Sequence, residues 1–209
     1  MMSLFGAVGC RESGRADAAT LDHTATGVRL RVTILGTPAD PRMAPVREAI
    51  GHWNSELLRL GRHVQLDSGT IRNDTVPDDI LRRASGEVMF GTGPATGRLR
   101  ASLSGVPGDI IIALSETNLI SFGVPWRAGS RGVVGIRRSD ILPLSLPNTV
   151  RNVVAHELGH VLGLTHNFDS TTLMCGRPAL CRPATFASDS VHFFPLTPSD
   201  ERWLRARWP

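Results

Sequence analysis

Several residue types are rare or missing in this chain of 209 residues. It contains no tyrosine and no lysine, so all 23 basic side chains are arginines. The longest uninterrupted apolar run, Ile110 to Leu114, falls far short of the ~20 residues that a membrane-spanning helix needs, which argues against an integral membrane protein. The net charge of +4 is spread along the chain without a run of five like charges, which gives nucleic-acid binding little support. The hydrophobic content of 41% is enough to build a folded core.

Cysteine is scarce, and its three positions divide into a pair and a single residue. Cys175 and Cys181 are six residues apart in a stretch containing Gly and Pro, a spacing that favours a small disulfide loop in an oxidising compartment. Cys10 follows the apolar stretch from Leu4 to Gly9, which resembles the end of a bacterial lipoprotein signal. A disordered N-terminus with an incidental thiol is the alternative. We therefore expect an exported protein, extracellular or in the cell envelope, which a lipidated Cys10 would anchor to the membrane.

The hydrophobic pattern divides the chain into a short N-terminal segment and one domain. Residues 1–26 are predicted to form the signal-like segment and a polar, flexible linker, and residues 27–209 form the predicted domain. The domain opens with a pattern typical of a half-buried strand, in which Val28, Leu30, Val32 and Ile34 alternate with Arg29, Arg31 and Thr33. From Ala44 to Leu60 the apolar spacing changes to three and four residues, which predicts an amphipathic helix ended by Gly61.

Later segments predict further strands and a second helix. A strand is predicted at His63 to Asp67, and a shorter helix after Pro77. The run from Asp109 to Leu114 predicts a strand buried on both faces. Gly132 to Ile136 has glycines and flanking arginines, which favour an edge strand; an extended peptide could add to it antiparallel, or it is a plain sheet edge. Strands alternating with helices, followed by one long helix, predict a single α+β domain.

The most informative stretch runs from His156 to His166. Pro147 and Asn148 can start a helix ahead of it, with Asn148 as the N-cap. On that helix His156 and His160 are four residues apart, so their rings lie on one side, about 6 Å apart along the axis. Two ring nitrogens placed in this way can bind one metal ion at the usual ~2.0–2.1 Å zinc–nitrogen distance.

A third histidine ligand requires this helix to stop. If the helix continued, His166 would lie about 9 Å beyond His160 and about 240° around the axis, facing away from the metal. Gly163 lies between them and is the residue type that most readily takes the left-handed conformation that ends a helix. Three imidazoles leave the fourth position of a zinc ion open for water, which is typical of a catalytic site. The alternative is a buried pair of histidines that hydrogen-bond to each other, but it does not account for the combined spacing of the three histidines and Gly163.

Glu157 directly follows the first of these histidines. On a helix it is turned about 100° from His156, so it flanks the metal without being forced to bind it. Zinc lowers the pKa of its water towards ~7, and a carboxylate beside that water can accept the proton and pass it to a leaving amine. A charge on the protein surface is the alternative for Glu157.

The pattern H-E-x-x-H-x-x-G-x-x-H, here His156 to His166, resembles the signature of the metzincin zinc peptidases, which continues into a Met-turn. Met174 lies eight residues after His166, where a Met-turn would fall. Leu196 to Asp200 is similar to the start of the last helix in matrixin-type members. The resemblance implies a metzincin-like domain with a twisted mixed sheet, a long active-site helix and a C-terminal helix.

The same resemblance implies a zinc endopeptidase that acts on protein or peptide substrates. The implied roles are zinc ligands for His156, His160 and His166, general base for Glu157, and hydrophobic floor for Met174. An ordinary core methionine predicts much the same contacts for Met174. Astacin-like and serralysin-like members use a tyrosine near the Met-turn, so the matrixin-like branch fits this tyrosine-free chain better.

Two features of the chain depart from the family pattern. Cys175-Gly176 replaces the usual apolar wall after the Met-turn, and Cys10 lacks the flanking residues of a cysteine-switch propeptide. Cys175 also bears on the alternative function, a non-catalytic, zinc-stabilised surface module that binds a partner through the same cleft. As a thiolate ligand it would close the fourth position of the zinc ion.

Other polar residues near the motif and elsewhere carry weaker predictions. Asp169 is predicted either to orient a ligand histidine or to shape a turn. The remaining histidines are isolated and are predicted to be surface or core residues: His23, His52, His63 and His192.

Overall fold

The structure, a computed structural model, describes residues 27–90, 96–140, 142, 144–176 and 191–209. The predicted signal-like segment and linker at 1–26, with Cys10 and His23, lie outside the described residues, and so does Cys181. Export, lipidation and the disulfide between Cys175 and Cys181 therefore stay predictions. None of the described helices combines the length and the apolar character needed to cross a bilayer.

The described residues form seven strands in two sheets. They are β1 (Val28–Leu30), β2 (Val32–Leu35), β3 (Val64–Leu66), β4 (Thr70–Arg72), β5 (Ile110–Leu114), β6 (Phe122–Val124) and β7 (Gly132–Ile136). The larger sheet has the order β4-β2-β5-β7-β6, in which β6 alone runs antiparallel to its neighbour. β1 and β3 form a separate parallel pair, and they lead along the chain into β2 and β4.

The described helices cover both faces of the larger sheet. They are α1 (Met43–Arg59), α2 (Asp78–Phe90), α3 (Thr96–Ser102), α4 (Pro147–Leu162) and α5 (Pro198–Arg207). Alternate residues of β5 belong to different cores: Ile110 and Ile112 pack with α1 and α4, whereas Ile111 and Ala113 pack with α2 and α3. A mostly parallel sheet is apolar on both faces, so a helical layer on each face removes those side chains from water. The predicted α+β class is confirmed.

The first predicted strand needs correction. The alternating segment from Val28 to Ile34 is divided at Arg31 into β1 and β2, which belong to different sheets. Thr33 was expected to face water, yet it is only 3% exposed. Its hydroxyl donates to Pro107 O at 2.6 Å, which satisfies the group in the interior. β1 keeps the predicted alternation, with Arg29 exposed and Leu30 buried, whereas β2 lies between the two helical layers and is buried throughout.

The edge-strand prediction for Gly132 to Ile136 is wrong, because β7 lies between β5 and β6. Its glycines serve close packing instead. A Cβ on Gly132 would lie 2.5 Å from Val161 Cγ1, and a Cβ on Gly135 would lie 2.4 Å from the ring of Phe122. The edge of the sheet on this side is β6, which the sequence pattern did not reveal.

Candidate metal centre

α4 holds the first two histidines of the motif. It begins at Pro147, which suits the first helical position because no N–H is needed there. Leu146 occupies the N-cap position, so the prediction of Asn148 as N-cap is wrong. Asn148 is fully buried, and its amide oxygen accepts hydrogen bonds from Arg151 at 3.0 Å and from the backbone N–H of His192 at 3.2 Å. The amide thus joins the start of α4 to a distant segment instead of capping the helix.

α4 ends at Gly163, as the sequence predicts. Gly163 has a φ of 102°, in the left-handed region. The N–H groups of Gly163 and Leu164 donate to carbonyls of the preceding turn at 3.0 and 2.9 Å. A side chain would not fit here, because a Cβ would lie 2.2 Å from Trp203 Cη2 of α5. The chain therefore leaves the helix axis at this residue and returns His166 towards the first two histidines.

The three predicted ligands come together in the structure. Their Nε2 atoms form a triangle with sides of 3.1 Å (His156–His166), 3.2 Å (His156–His160) and 3.0 Å (His160–His166). Backbone carbonyls orient two of the rings: Nδ1 of His156 donates to Leu173 O at 2.7 Å, and Nδ1 of His160 donates to Leu164 O at 2.9 Å. A neutral ring that donates from Nδ1 carries its lone pair on Nε2. The lone pairs of these two rings therefore point towards the centre of the triangle.

This donor set fits a zinc ion. Burial lowers the pKa of His160 to about 4 and also lowers the pKa of His166, so both rings are neutral near pH 7, the form that binds metal. Nitrogens bound to one tetrahedral zinc at ~2.0–2.1 Å are about 3.3–3.4 Å apart, close to the observed sides. Converging lone pairs repel one another unless a proton or a cation lies between them. Among the residues that the structure describes, no carboxylate or thiol joins the three nitrogens.

Met174 lies beneath this part of α4. It is fully buried, and a Cβ on Gly159 would lie 2.5 Å from Met174 Sδ and 3.2 Å from Trp53 Cζ2. The turn that carries Met174 is tied to the third histidine's segment, because Asn167 N donates to Met174 O at 2.9 Å and Gly176 N donates to Asn167 O at 3.0 Å. A hydrophobic floor and an ordinary core methionine would both make these contacts.

Glu157 lies where α4 meets β6. The residue is 7% exposed, and burial raises its pKa to about 8. The strand packs very closely here, since a Cβ on Gly123 would lie 2.3 Å from Glu157 O and 2.8 Å from His160 Cβ. A carboxyl group with a pKa near neutrality can both accept and release a proton at neutral pH, which is what proton transfer in catalysis requires.

A family model described as Met-zincin matches residues 145–176, the stretch that contains α4, the three histidines and Met174. The fold is similar to that of archaemetzincin from Methanopyrus kandleri. That crystal structure matches with a TM-score of 0.54 and 18% sequence identity, over 90% of this chain and 98% of that chain. No curated protein matches this chain significantly. The structural match therefore establishes the likeness of the fold, and the family match falls on the three-histidine segment.

The other predicted candidates lie outside the three-nitrogen cluster. Asp169 shapes a turn, because its Oδ1 accepts from the N–H of Thr171 at 2.9 Å and from its hydroxyl at 2.7 Å. Cys175 is buried, but its sulfur does not join the three nitrogens. His52 stacks on Phe193 with ring centroids 4.3 Å apart. The described histidines outside the motif also stay apart from the cluster: His52, His63 and His192.

Sequence reasoning missed β6, and with it the residue that brings the sheet against the site. A three-residue strand is too short to show alternation, and Pro125 follows it directly. The available signal was Gly123 between two large apolar residues, since a glycine inside a strand marks a bulge or a close approach of another backbone. Here the approaching backbone is that of α4 at Glu157.

Proposed function

We propose that this protein is a zinc-dependent endopeptidase of the metzincin type. The observation that carries the proposal is the triangle of Nε2 atoms from His156, His160 and His166, with sides of 3.0–3.2 Å. No fourth protein ligand joins it from the described residues, as expected for a site that keeps one coordination position for the reaction. The Met-zincin match over residues 145–176 and the archaemetzincin-like fold support the same proposal.

Glu157 is the proposed general base. When bound, zinc supplies Lewis-acid chemistry: it polarises a carbonyl group and makes water more acidic. A carboxylate oxygen of Glu157 accepts a proton from the attacking water and then delivers it to the nitrogen of the leaving amine. The burial of Glu157 supports this role, because burial raises the pKa of the carboxyl group to about 8, where it can bind and release a proton near neutral pH.

β6 is the proposed binding strand for the substrate, in place of the strand proposed from sequence. It is the edge strand on this side of the larger sheet, and it pairs with β7 on its inner side. Gly123 of this strand contacts the helix at Glu157 and His160, so a peptide along β6 passes the three histidines. An extended protein or peptide chain that pairs antiparallel with β6 gains main-chain hydrogen bonds without depending on particular side chains.

Glu157→Gln tests the proposal. We expect the variant to keep zinc but to lose peptide hydrolysis by about 10²–10⁴-fold, because the amide cannot accept the proton. Zinc-loaded protein is incubated with a peptide library, with and without a chelator, and the products are identified by mass spectrometry. Glu87→Gln, on α2 at the opposite face of the sheet, is the matched control and is expected to remain active.

Two results would count against this function. Cleavage by Glu157→Gln at the wild-type rate would remove Glu157 from the mechanism. Stoichiometric zinc binding without any chelator-sensitive cleavage would favour the non-catalytic surface module instead. Membership of the matrixin-like branch, export and lipid anchoring through Cys10 are further proposals, supported by the sequence alone.

A further inference from the structure

Arginine side chains gather where the chain leaves β6. Arg127 follows Trp126 directly and begins a tight turn, in which its backbone pairs with that of Ser130 at 2.8 and 3.2 Å. Arg207 reaches this point from α5 and donates to Trp126 O at 3.0 Å. Arg100 reaches the same turn from α3, on the other face of the sheet, where it donates to the backbone carbonyl of the residue after Ser130 at 3.3 Å. We call Arg100, Arg127 and Arg207 the arginine cluster.

The arginine cluster has no acidic partner within the described ranges. Seven of the nineteen described arginines form ion pairs with Asp or Glu, and the cluster side chains are among the twelve that do not; the paired residues are Arg31, Arg42, Arg59, Arg72, Arg138, Arg151 and Arg205. No carboxylate of the described residues lies within 4 Å of the three cluster side chains, and the buried Nε of Arg100 has no hydrogen-bond partner. Burial, and after it the charge of Arg127, lowers the pKa of both Arg100 and Arg207, so these like charges are close enough to repel one another. An anion bound beside them would reverse that effect.

Aromatic rings hold the guanidinium group of Arg207 in place, although the residue is exposed. It lies over the ring of Trp203 at 5.2 Å and over the ring of Trp208 at 5.5 Å. Trp208 in turn stacks on Trp126, with ring centroids 5.3 Å apart. Cation–π contacts and the hydrogen bond to Trp126 fix the position of this charge, so less side-chain entropy is lost when it binds a ligand. Arg127 and Arg207 are both exposed and therefore open to a partner.

The position of the arginine cluster relative to β6 suggests its ligand. Gly123 marks the point where the strand passes Glu157, and Arg127 lies four residues further along the chain. β6 ends at Val124, and four residues span at most about 13 Å even when fully extended, so Arg127 lies within that distance of Gly123. A peptide that runs antiparallel to β6 would place the residues before its cleaved bond on this side. We infer that the arginine cluster binds an acidic side chain of the substrate, about four residues on the N-terminal side of the cleaved bond; this inference rests on the proposed function.

The test measures peptide binding separately from cleavage. Zinc-loaded Glu157→Gln protein is titrated into two fluorescein-labelled twelve-residue peptides of the same sequence, one with Glu and one with Gln at two adjacent positions. We expect the Glu peptide to bind about five-fold more tightly, and the difference to shrink as salt is raised. The preference should disappear in Arg127→Glu and take an intermediate value in Arg127→Gln. Arg29→Glu, on β1 in the separate two-stranded sheet, is the matched control and should keep it.

The outcomes separate the two proposals. Equal binding of both peptides, or equal loss of the preference in Arg127→Glu and Arg29→Glu, would overturn the role of the arginine cluster. In the library cleaved by the wild-type protein, enrichment of Asp and Glu after the cleaved bond instead of before it would also overturn it. An acidic preference in binding, together with no chelator-sensitive cleavage, would leave the cluster as an anion-binding surface and would refute the peptidase.

Discussion

Gly123→Ala adds a single atom, a Cβ, at the contact between β6 and α4. The φ of Gly123 lies outside the left-handed region, so alanine can adopt this backbone conformation. In a strand interior the change would usually stabilise by about 0.5–1 kcal/mol. Here the new Cβ would lie 2.3 Å from Glu157 O, which belongs to the backbone of a helix and cannot rotate away. Carbon and oxygen atoms in contact need roughly 3.3 Å, so the strand and the helix must move apart by about 1 Å.

The expected cost follows from that displacement. Overpacking of a dense interior costs about 1–3 kcal/mol, and a clash with backbone falls at the upper end. After the gain in strand propensity, we expect the free energy of unfolding to fall by about 2 kcal/mol. The same Cβ would lie 2.8 Å from His160 Cβ, so the second proposed zinc ligand moves too. Metal sites tolerate about 0.2 Å in ligand distance, so we expect zinc affinity to fall at least about ten-fold.

Urea unfolding measures the stability of the variant, and chelator competition measures its affinity for zinc. Gly51→Ala in α1 is the matched control, since no atom lies within 4 Å of its added Cβ. This control should raise the free energy of unfolding by about 0.5–1 kcal/mol, because alanine is the better helix former. If Gly123→Ala unfolds at the wild-type urea concentration and holds zinc as tightly, β6 and α4 are not in the close contact described, and the reasoning is wrong.

Two further substitutions test other parts of the fold. His52 stacks on Phe193, its buried Nε2 has no hydrogen-bond partner, and burial lowers its pKa. The unfolded chain therefore binds a proton more readily, and the stability contributed by the neutral ring is present above pH ~6.5 and lost as the pH falls below it. Between pH 7 and 5, urea titrations should show a steeper loss of stability in the wild type than in His52→Phe, and equal slopes would contradict this. Thr197→Ala removes the capping box that Thr197 forms with Asp200 at the start of α5, so it should lower the free energy of unfolding by about 1 kcal/mol. Thr197→Ser keeps a hydroxyl group and should retain most of this stability. An unchanged urea midpoint in Thr197→Ala would contradict the role of the cap.

The parts of the structure that sequence predicted are those specified by local signals. The helix containing His156 and His160 follows from apolar spacing, and its end at Gly163 follows from the need for a left-handed residue there. The spacing of the three histidines and Gly163 also predicted that His166 joins His156 and His160, because a third ligand can reach them only if the helix ends first. The buried strand at Ile110–Leu114 was equally clear from its continuous apolar run.

The parts that sequence did not predict depend on contacts between distant segments. The glycines of β7 favoured an edge strand in the sequence analysis. In the structure, Gly132 and Gly135 leave room for Val161 and Phe122, which pack where a Cβ would lie. Strand order decides which strand lies at the edge, and single-chain periodicity carries no information on strand order. Asn148 has a residue type typical of an N-cap, yet its amide accepts from the backbone of His192, more than forty residues away.

The segment beyond Gly163 does more than deliver one of the three donors. Its carbonyl groups at Leu164 and Leu173 hold the two helical imidazoles in their tautomers, at 2.9 and 2.7 Å. A helix peptide cut out with both histidines would therefore lack the partners that aim them. For the proposed zinc centre we therefore expect all-or-none assembly: detaching this loop would remove one ring and free the other two to rotate, so zinc binding and packing of the loop should occur together.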